Sequence, residues 1–124
     1  MSVLATILVV LTALEFFFIF YLETIATASE KTAQTFGMTV EELKRDSVNT
    51  LFKNQGVYNA LIGILLLIEL FALHSKVSVL LLLGFIILVA AYGSVTSNPK
   101  IILKQGGLAM VAFVLVLVWG IYGV

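Results

Sequence analysis

The chain has 124 residues, 61% of them hydrophobic and only 11% charged, with a formal net charge of zero at pH 7. A soluble domain uses charged residues for about a quarter of its length, so this composition points to a membrane protein, and the even charge balance provides no basic surface for nucleic acid. The absence of cysteine excludes disulfides and thiolate metal or redox chemistry, and at this length one domain is expected.

Four apolar runs follow one another along the chain. The first, residues 3–25, is long enough for the roughly 20-residue helix that about 30 Å of hydrocarbon requires. It carries two carboxylates, Glu15 near its midpoint and Glu23 eight residues later. A carboxylate at that depth costs on the order of 2.5–3.5 kcal/mol and must be met by a partner, by water or by a proton. Eight residues is a rotation of about 80° and a rise of about 12 Å, so both groups can face the same side. No Lys or Arg precedes Lys31. A cleaved signal peptide, which needs a positive n-region, is therefore not expected, and the run reads as a permanent span.

A polar connection, residues 26–50, comes next. Thr39 to Glu42 reads as a capping box. Val40, Leu43, Val48, Leu51 and Phe52 then recur at helical spacing, which predicts a short amphipathic helix on the inner membrane surface; a solvated connector with one capped turn is the other reading. The second run covers residues 51–73 and the third 77–96, joined by a tight turn at His74, Ser75 and Lys76. Ser97, Asn98, Pro99 and Lys100 break the chain again, since Asn-Pro disfavours helix at the asparagine. The fourth run is residues 101–124. Continuous apolar runs, not alternating ones, argue for helices and against a β-barrel. The predicted fold is therefore all-α, a four-helix transmembrane bundle in a single domain.

The connections after the first and third spans carry Lys31, Lys44, Arg45, Lys53, Lys100 and Lys104; the other side carries only Lys76. The positive-inside rule places those two connections in the cytoplasm and both termini outside. Trp119 and Tyr122 then fall at the outer interface and Tyr21 at the inner one.

Hydrogen-bonding side chains gather in the cytoplasmic half of the spans. The second span opens with Asn54, Gln55, Gly56, Val57, Tyr58 and Asn59. Asn54 stacks with Tyr58, and Gln55 with Asn59, at i, i+4, while Gly56, Asn59 and Gly63 make a low ridge that another helix can approach closely. Tyr92 ends the third span and Gln105 begins the fourth. Such amides and hydroxyls can simply pack helices together, at roughly 0.6 kcal/mol per bond. Glu15 shifts the reading towards function, because packing needs no buried charge. Glu23 is balanced between a functional role and an interfacial pair with Lys53 or Lys104. Glu69 is about 6 Å by helical rise from the end of its span and is expected to reach the outer surface. His74 reads as a turn residue. One His and no Cys argue against a transition-metal site, and Phe16, Phe17, Phe18 and Phe20 read as lipid contacts.

The strings Leu14-Glu15, Tyr21-Leu22-Glu23, Phe36-Gly37, Asn54-Gln55-Gly56-Val57-Tyr58-Asn59, Tyr92-Gly93 and Gln105-Gly106, in that order and spacing, carry a family likeness. The chain resembles, over almost its whole length, the small bacterial four-helix membrane proteins of the domain of unknown function family 1304. The resemblance implies the four-span architecture and a bacterial inner-membrane location, and it implies no activity. Two positions depart from the family pattern: Phe16 stands where His usually follows the first Glu, which removes a Glu–His proton relay, and Gly107 stands where Pro usually follows Gln-Gly. The small multidrug-resistance transporters also have four spans and one Glu in mid-span one, but their dual orientation needs a weak charge bias, unlike the six-to-one bias here.

The expected function is binding of a small or amphiphilic ligand in a polar pocket in the cytoplasmic half, with proton-linked transport as its extension. Glu15 would exchange the proton or cation, and Glu23, Asn54, Gln55, Tyr58, Asn59, Tyr92 and Gln105 would orient the ligand. No cofactor and no metal are expected. Gly56, Gly63, Gly84 and Gly107 at potential contact positions could pack within the chain or against a copy, and a homodimer is expected. Two other readings stay open: a membrane enzyme with Glu15 or Glu23 as general acid/base, which lacks a nucleophile–base pair, and a structural subunit whose polar cluster only packs.

Overall fold

The computed structural model describes residues 1–96 and 106–123. Six helices account for nearly all of them: α1 (Ser2–Phe20), α2 (Glu30–Phe36), α3 (Val40–Lys44), α4 (Asp46–Leu67), α5 (Lys76–Thr96) and α6 (Gly107–Trp119). No strand occurs among the described residues. Two of the helices widen at their C-terminal ends into a π turn, α1 through Tyr21–Ile25 and α4 through Ile68–Ala72. With these turns included, Ser2–Ile25 (24 residues), Asp46–Ala72 (27 residues) and Lys76–Thr96 (21 residues) are long and apolar enough to cross a membrane. The described part of the fourth run, α6, has 13 residues. The predicted break at Ser97–Lys100, the start of the fourth span, Lys104 and Gln105 lie outside the described residues.

The chain divides into two compact units, Met1–Leu14 with Ile64–Val124, and Glu15–Gly63. In the first, the buried positions follow helical spacing: Ala5, Val9, Thr12 and Ala13 on α1, Val79, Leu83, Ile86 and Ala90 on α5, and Ala109, Ala112 and Val116 on α6. These are the i+3 and i+4 steps of a single helix face. α5 packs on α6, and the small side chains of Ala109 and Ala112 suit a close approach. A Cβ at Gly84 would lie 3.8 Å from the Phe113 ring, so this glycine is in contact within its own chain.

Polar bonds fix the ends of these helices. Ser75 caps α5 through its hydroxyl, which accepts the Ser78 N–H at 3.1 Å. The Lys76 ammonium donates to the Leu117 carbonyl in the last turn of α6 at 3.2 Å, where a cation suits the negative end of the helix. Gly120, with φ 74°, then stops α6, and the Tyr122 N–H donates to Thr6 Oγ1 on α1 at 2.8 Å. His74 has φ 47°. It occupies the left-handed turn position that His tolerates better than most residues, consistent with its reading as a turn residue.

The second unit contains the connection read as residues 26–50, and it is more structured than expected. α2 begins at Ser29, whose hydroxyl accepts the Thr32 N–H, and ends at Gly37 with φ 66°. The capping box of α3 is present: Glu42 N–H donates to Thr39 Oγ1 at 3.1 Å, and Thr39 N–H to Glu42 Oε1 at 3.0 Å. The amphipathic helix predicted over Val40–Phe52 is not continuous. Arg45 is extended, with φ −63° and ψ 133°, and α4 starts at Asp46, five residues before the predicted span. The cause is a competing start signal: Asp46 stands in the first turn of the new helix, where an acid is favoured by the helix dipole. Asn49 bridges the break, its amide donating to the Leu43 carbonyl at 3.1 Å, and the Phe36 and Phe52 rings meet edge to face with centroids 5.3 Å apart.

Candidate functional site

In the second unit the π turn that ends α1 approaches the middle of α4 closely, at Gly56. A Cβ at Gly56 would overlap Thr24 Oγ1 and lie 3.1 Å from the Cβ atoms of both Glu23 and Thr24, so only glycine fits. Gly56, Asn59 and Gly63, the ridge read from the sequence, are the buried positions of this stretch. The approach carries the Asn59 side chain to Glu23, and Asn59 Nδ2 donates to Glu23 Oε1. Both residues are buried, at 6% and 4% exposure.

The backbone that holds Glu23 is the π turn Tyr21–Ile25, a wide turn of the kind often found at functional sites. The end of any helix leaves carbonyls without intrahelical donors, and here several of them meet a donor close by. Ala26 N–H donates to Tyr21 O at 2.8 Å. Thr32 Oγ1 lies 3.0 Å from Leu22 O and 2.7 Å from Ala26 O, and Thr27 Oγ1 donates to Glu23 O at 2.7 Å. The Lys53 ammonium donates to Thr24 O at 3.2 Å and to Thr27 Oγ1 at 3.2 Å, while Thr24 Oγ1 donates back to Lys53 O at 2.9 Å. Lys53 therefore caps the helix end, in place of the salt bridge to Glu23 that the sequence suggested as one option.

Glu15 lies on α1, half-buried, and its Oε1 is buried with no hydrogen-bond partner among the described residues. Phe16, expected among the lipid contacts, is buried at 5% exposure, and Phe18 is exposed. Phe16 continues the buried stripe of α1 at i+3 from Ala13, which is why it turns inward. Of the other predicted site residues, Asn54, Gln55, Tyr58 and Tyr92 are exposed, and Gln105 lies outside the described residues. The structure thus brings together Glu23 and Asn59 and leaves the four exposed side chains on outer faces of their helices. The i, i+4 pairing of Gln55 with Asn59 could not reveal this, because the ridge at Gly56 turns Asn59 inward. Sequence reasoning missed Thr24, Thr27 and Thr32, whose signal was the density of hydroxyls around the end of the first apolar run, and it gave Lys53 a different partner. Glu69 is buried at 9% exposure, contrary to its expected reach to the surface. Rise along the helix measures depth only, and rotation turns this side chain inward.

The arrangement can hold a proton. Glu23 Oε1 can accept from the Asn59 amide whether the carboxyl is ionised or neutral, so the bond survives a change of protonation. Among the described residues no three His, Cys, Asp or Glu side chains converge on a metal-sized site.

The model of a family described as "Protein of unknown function (DUF1304)" matches residues 10–117. The uncharacterized protein YpaA of Lactococcus lactis subsp. lactis (strain IL1403) is 56% identical over 115 residues, covering 92% of this chain and 97% of that protein. No solved structure matches.

Proposed function

This chain belongs to the DUF1304 family, and on that premise we propose that it is an integral membrane protein that binds a small or amphiphilic ligand and exchanges a proton at the carboxyls of its first span. It crosses the bacterial inner membrane four times as a single domain, with both termini outside and the first and third connections in the cytoplasm. The three long apolar helices support the membrane placement, and the six-to-one distribution of Lys and Arg supports the orientation.

The observation that carries this reading is the buried Glu23–Asn59 pair at the end of an apolar helix. Helix packing in a membrane is served by small residues and neutral hydrogen bonds; an ionisable group there points to a ligand or proton path. Glu15, with an oxygen that finds no donor, is the exchanging group. Glu23 and Asn59 orient the ligand. Thr24 and Lys53 hold the turn that presents them.

Native mass spectrometry of the purified protein, wild type against Glu15→Gln and Glu23→Gln, tests the proposal. The wild type should carry a co-purified small molecule that both folded variants lose. If the variants retain the same molecule with unchanged affinity at every pH, the carboxyls only pack and the proposal fails.

A further inference from the structure

Two π turns end the two longest helices, and each contains a buried glutamate. The proposed function uses the one at Glu23. The other, Ile68–Ala72, holds Glu69. Its side chain is 9% exposed, and its Oε1 is buried with no hydrogen-bond partner among the described residues.

The backbone around Glu69 is fully engaged, since the Ser75 N–H donates to its carbonyl at 3.2 Å and the Leu73 N–H to the Ile68 carbonyl at 3.0 Å. The side chain is therefore not at a frayed end. The turn packs against α5, whose titratable groups are Lys76 and Tyr92. The Lys76 ammonium is committed to the Leu117 carbonyl, and Tyr92 is exposed at 72% near the far end of α5. His74, on the same connection as Glu69, is exposed. Neither residues 2–14 of α1 nor α6 carries an ionisable side chain. Among the described residues the remaining cation of this unit is the amino terminus on Met1, a residue 70% exposed; Lys100 and Lys104 lie outside the described residues.

A carboxylate with a buried oxygen that no donor reaches among the described residues is far costlier charged than neutral, and such a group takes up a proton instead. Buried carboxylates are otherwise paired, and here the two side-chain cations nearest in sequence are directed elsewhere. We infer that Glu69 is a second proton-binding site of this protein, its ligand the proton itself and its working form the neutral carboxyl. Its side of the membrane rests on the topology proposed above. Successive spans run in opposite directions, so the π turn of Glu69 ends its span at the outer face and that of Glu23 at the inner face.

Infrared spectroscopy of the protein in phosphatidylcholine vesicles tests this through the C=O stretch of protonated carboxyl groups, compared between neutral and alkaline buffer. At neutral pH the wild type should show this absorption. Glu69→Gln should remove one component, Glu69→Asp should shift it without removing it, and Glu23→Gln should leave that component in place. Should Glu69→Gln fail to fold, Glu69→Asp decides, because it keeps a carboxyl in the same turn. A spectrum unchanged by Glu69→Asp overturns the inference; if Glu23→Gln then removes the absorption, the proposed function stands without it. Absence of any protonated carboxyl in the wild type at neutral pH overturns both.

Discussion

Replacing Gly56 by alanine tests the close approach on which the Glu23–Asn59 pair depends. The added methyl would overlap Thr24 Oγ1 and press on the Cβ atoms of Glu23 and Thr24 at 3.1 Å. Thr24 is branched at Cβ, and its hydroxyl is held by the Lys53 carbonyl at 2.9 Å, so it cannot yield without losing that bond. Overpacking of this kind costs about 1–3 kcal/mol. Loss of the hydroxyl bond adds about 0.6–1.5 kcal/mol. The better helix propensity of alanine returns about 1 kcal/mol. The net expectation is a loss of about 1–3 kcal/mol, set chiefly by the overpacking term. Unfolding of the micelle-bound protein by increasing SDS, followed by circular dichroism, would measure it. The partner variant Thr24→Ala removes the hydroxyl that the methyl strikes. The double variant should therefore be less destabilised than the sum of the two single ones, a positive coupling expected for residues in contact. Gly56→Ala at wild-type stability, or strict additivity with Thr24→Ala, would refute the packing described at this site.

Asn59→Ala removes the one side-chain donor to Glu23 among the described residues and should cost about 1–3 kcal/mol in the same assay; Glu23→Gln made in that background should recover part of the loss, and no recovery would mean that Asn59 acts by packing alone. A reporter fused at the C-terminus should behave as external and one inserted near Ser29 as cytoplasmic, and a cytoplasmic C-terminus would reverse the proposed orientation. The chain has no cysteine, so a single Asn54→Cys on the exposed side of α4 can form a disulfide only between copies. Mild oxidation in native membranes should give a covalent dimer, and recovery of monomer alone would remove the homodimer.

The helices were legible because hydrocarbon thickness dictates the length of an apolar run and leaves its position plain in the sequence. The capping box was legible because Thr39 and Glu42 meet within one turn. What escaped was rotation about the helix axes. Glu69 and Phe16 were placed by depth and by type, yet both turn inward, and the choice of face depends on contacts far away in sequence. The same holds for the site. Glu23 and Asn59 were both named from the sequence, but their pairing follows from the overlap that would arise at Gly56. The π turns left no signature, since each ends its helix and no further turns follow in which a shift of the helical face would show. Gly56 and Gly84 were read as contacts either within the chain or against a second copy, and each packs within its own chain.

The side-chain caps on the end of α1 also set an order of events during synthesis. Lys53 follows Thr24 by 29 residues and Asn59 follows Glu23 by 36. At about 5–20 residues per second, the first helix waits roughly 2–7 s for the donors that complete its C-terminal end. Through that interval Thr24 O lacks its ammonium and Glu23 its amide. Both are polar groups that hydrocarbon would penalise, so in the topology proposed above the end of the helix keeps to water until the second span arrives. Insertion of the first helix and completion of the site are thus separate steps, and it is α4, not α1, whose arrival closes over Glu23.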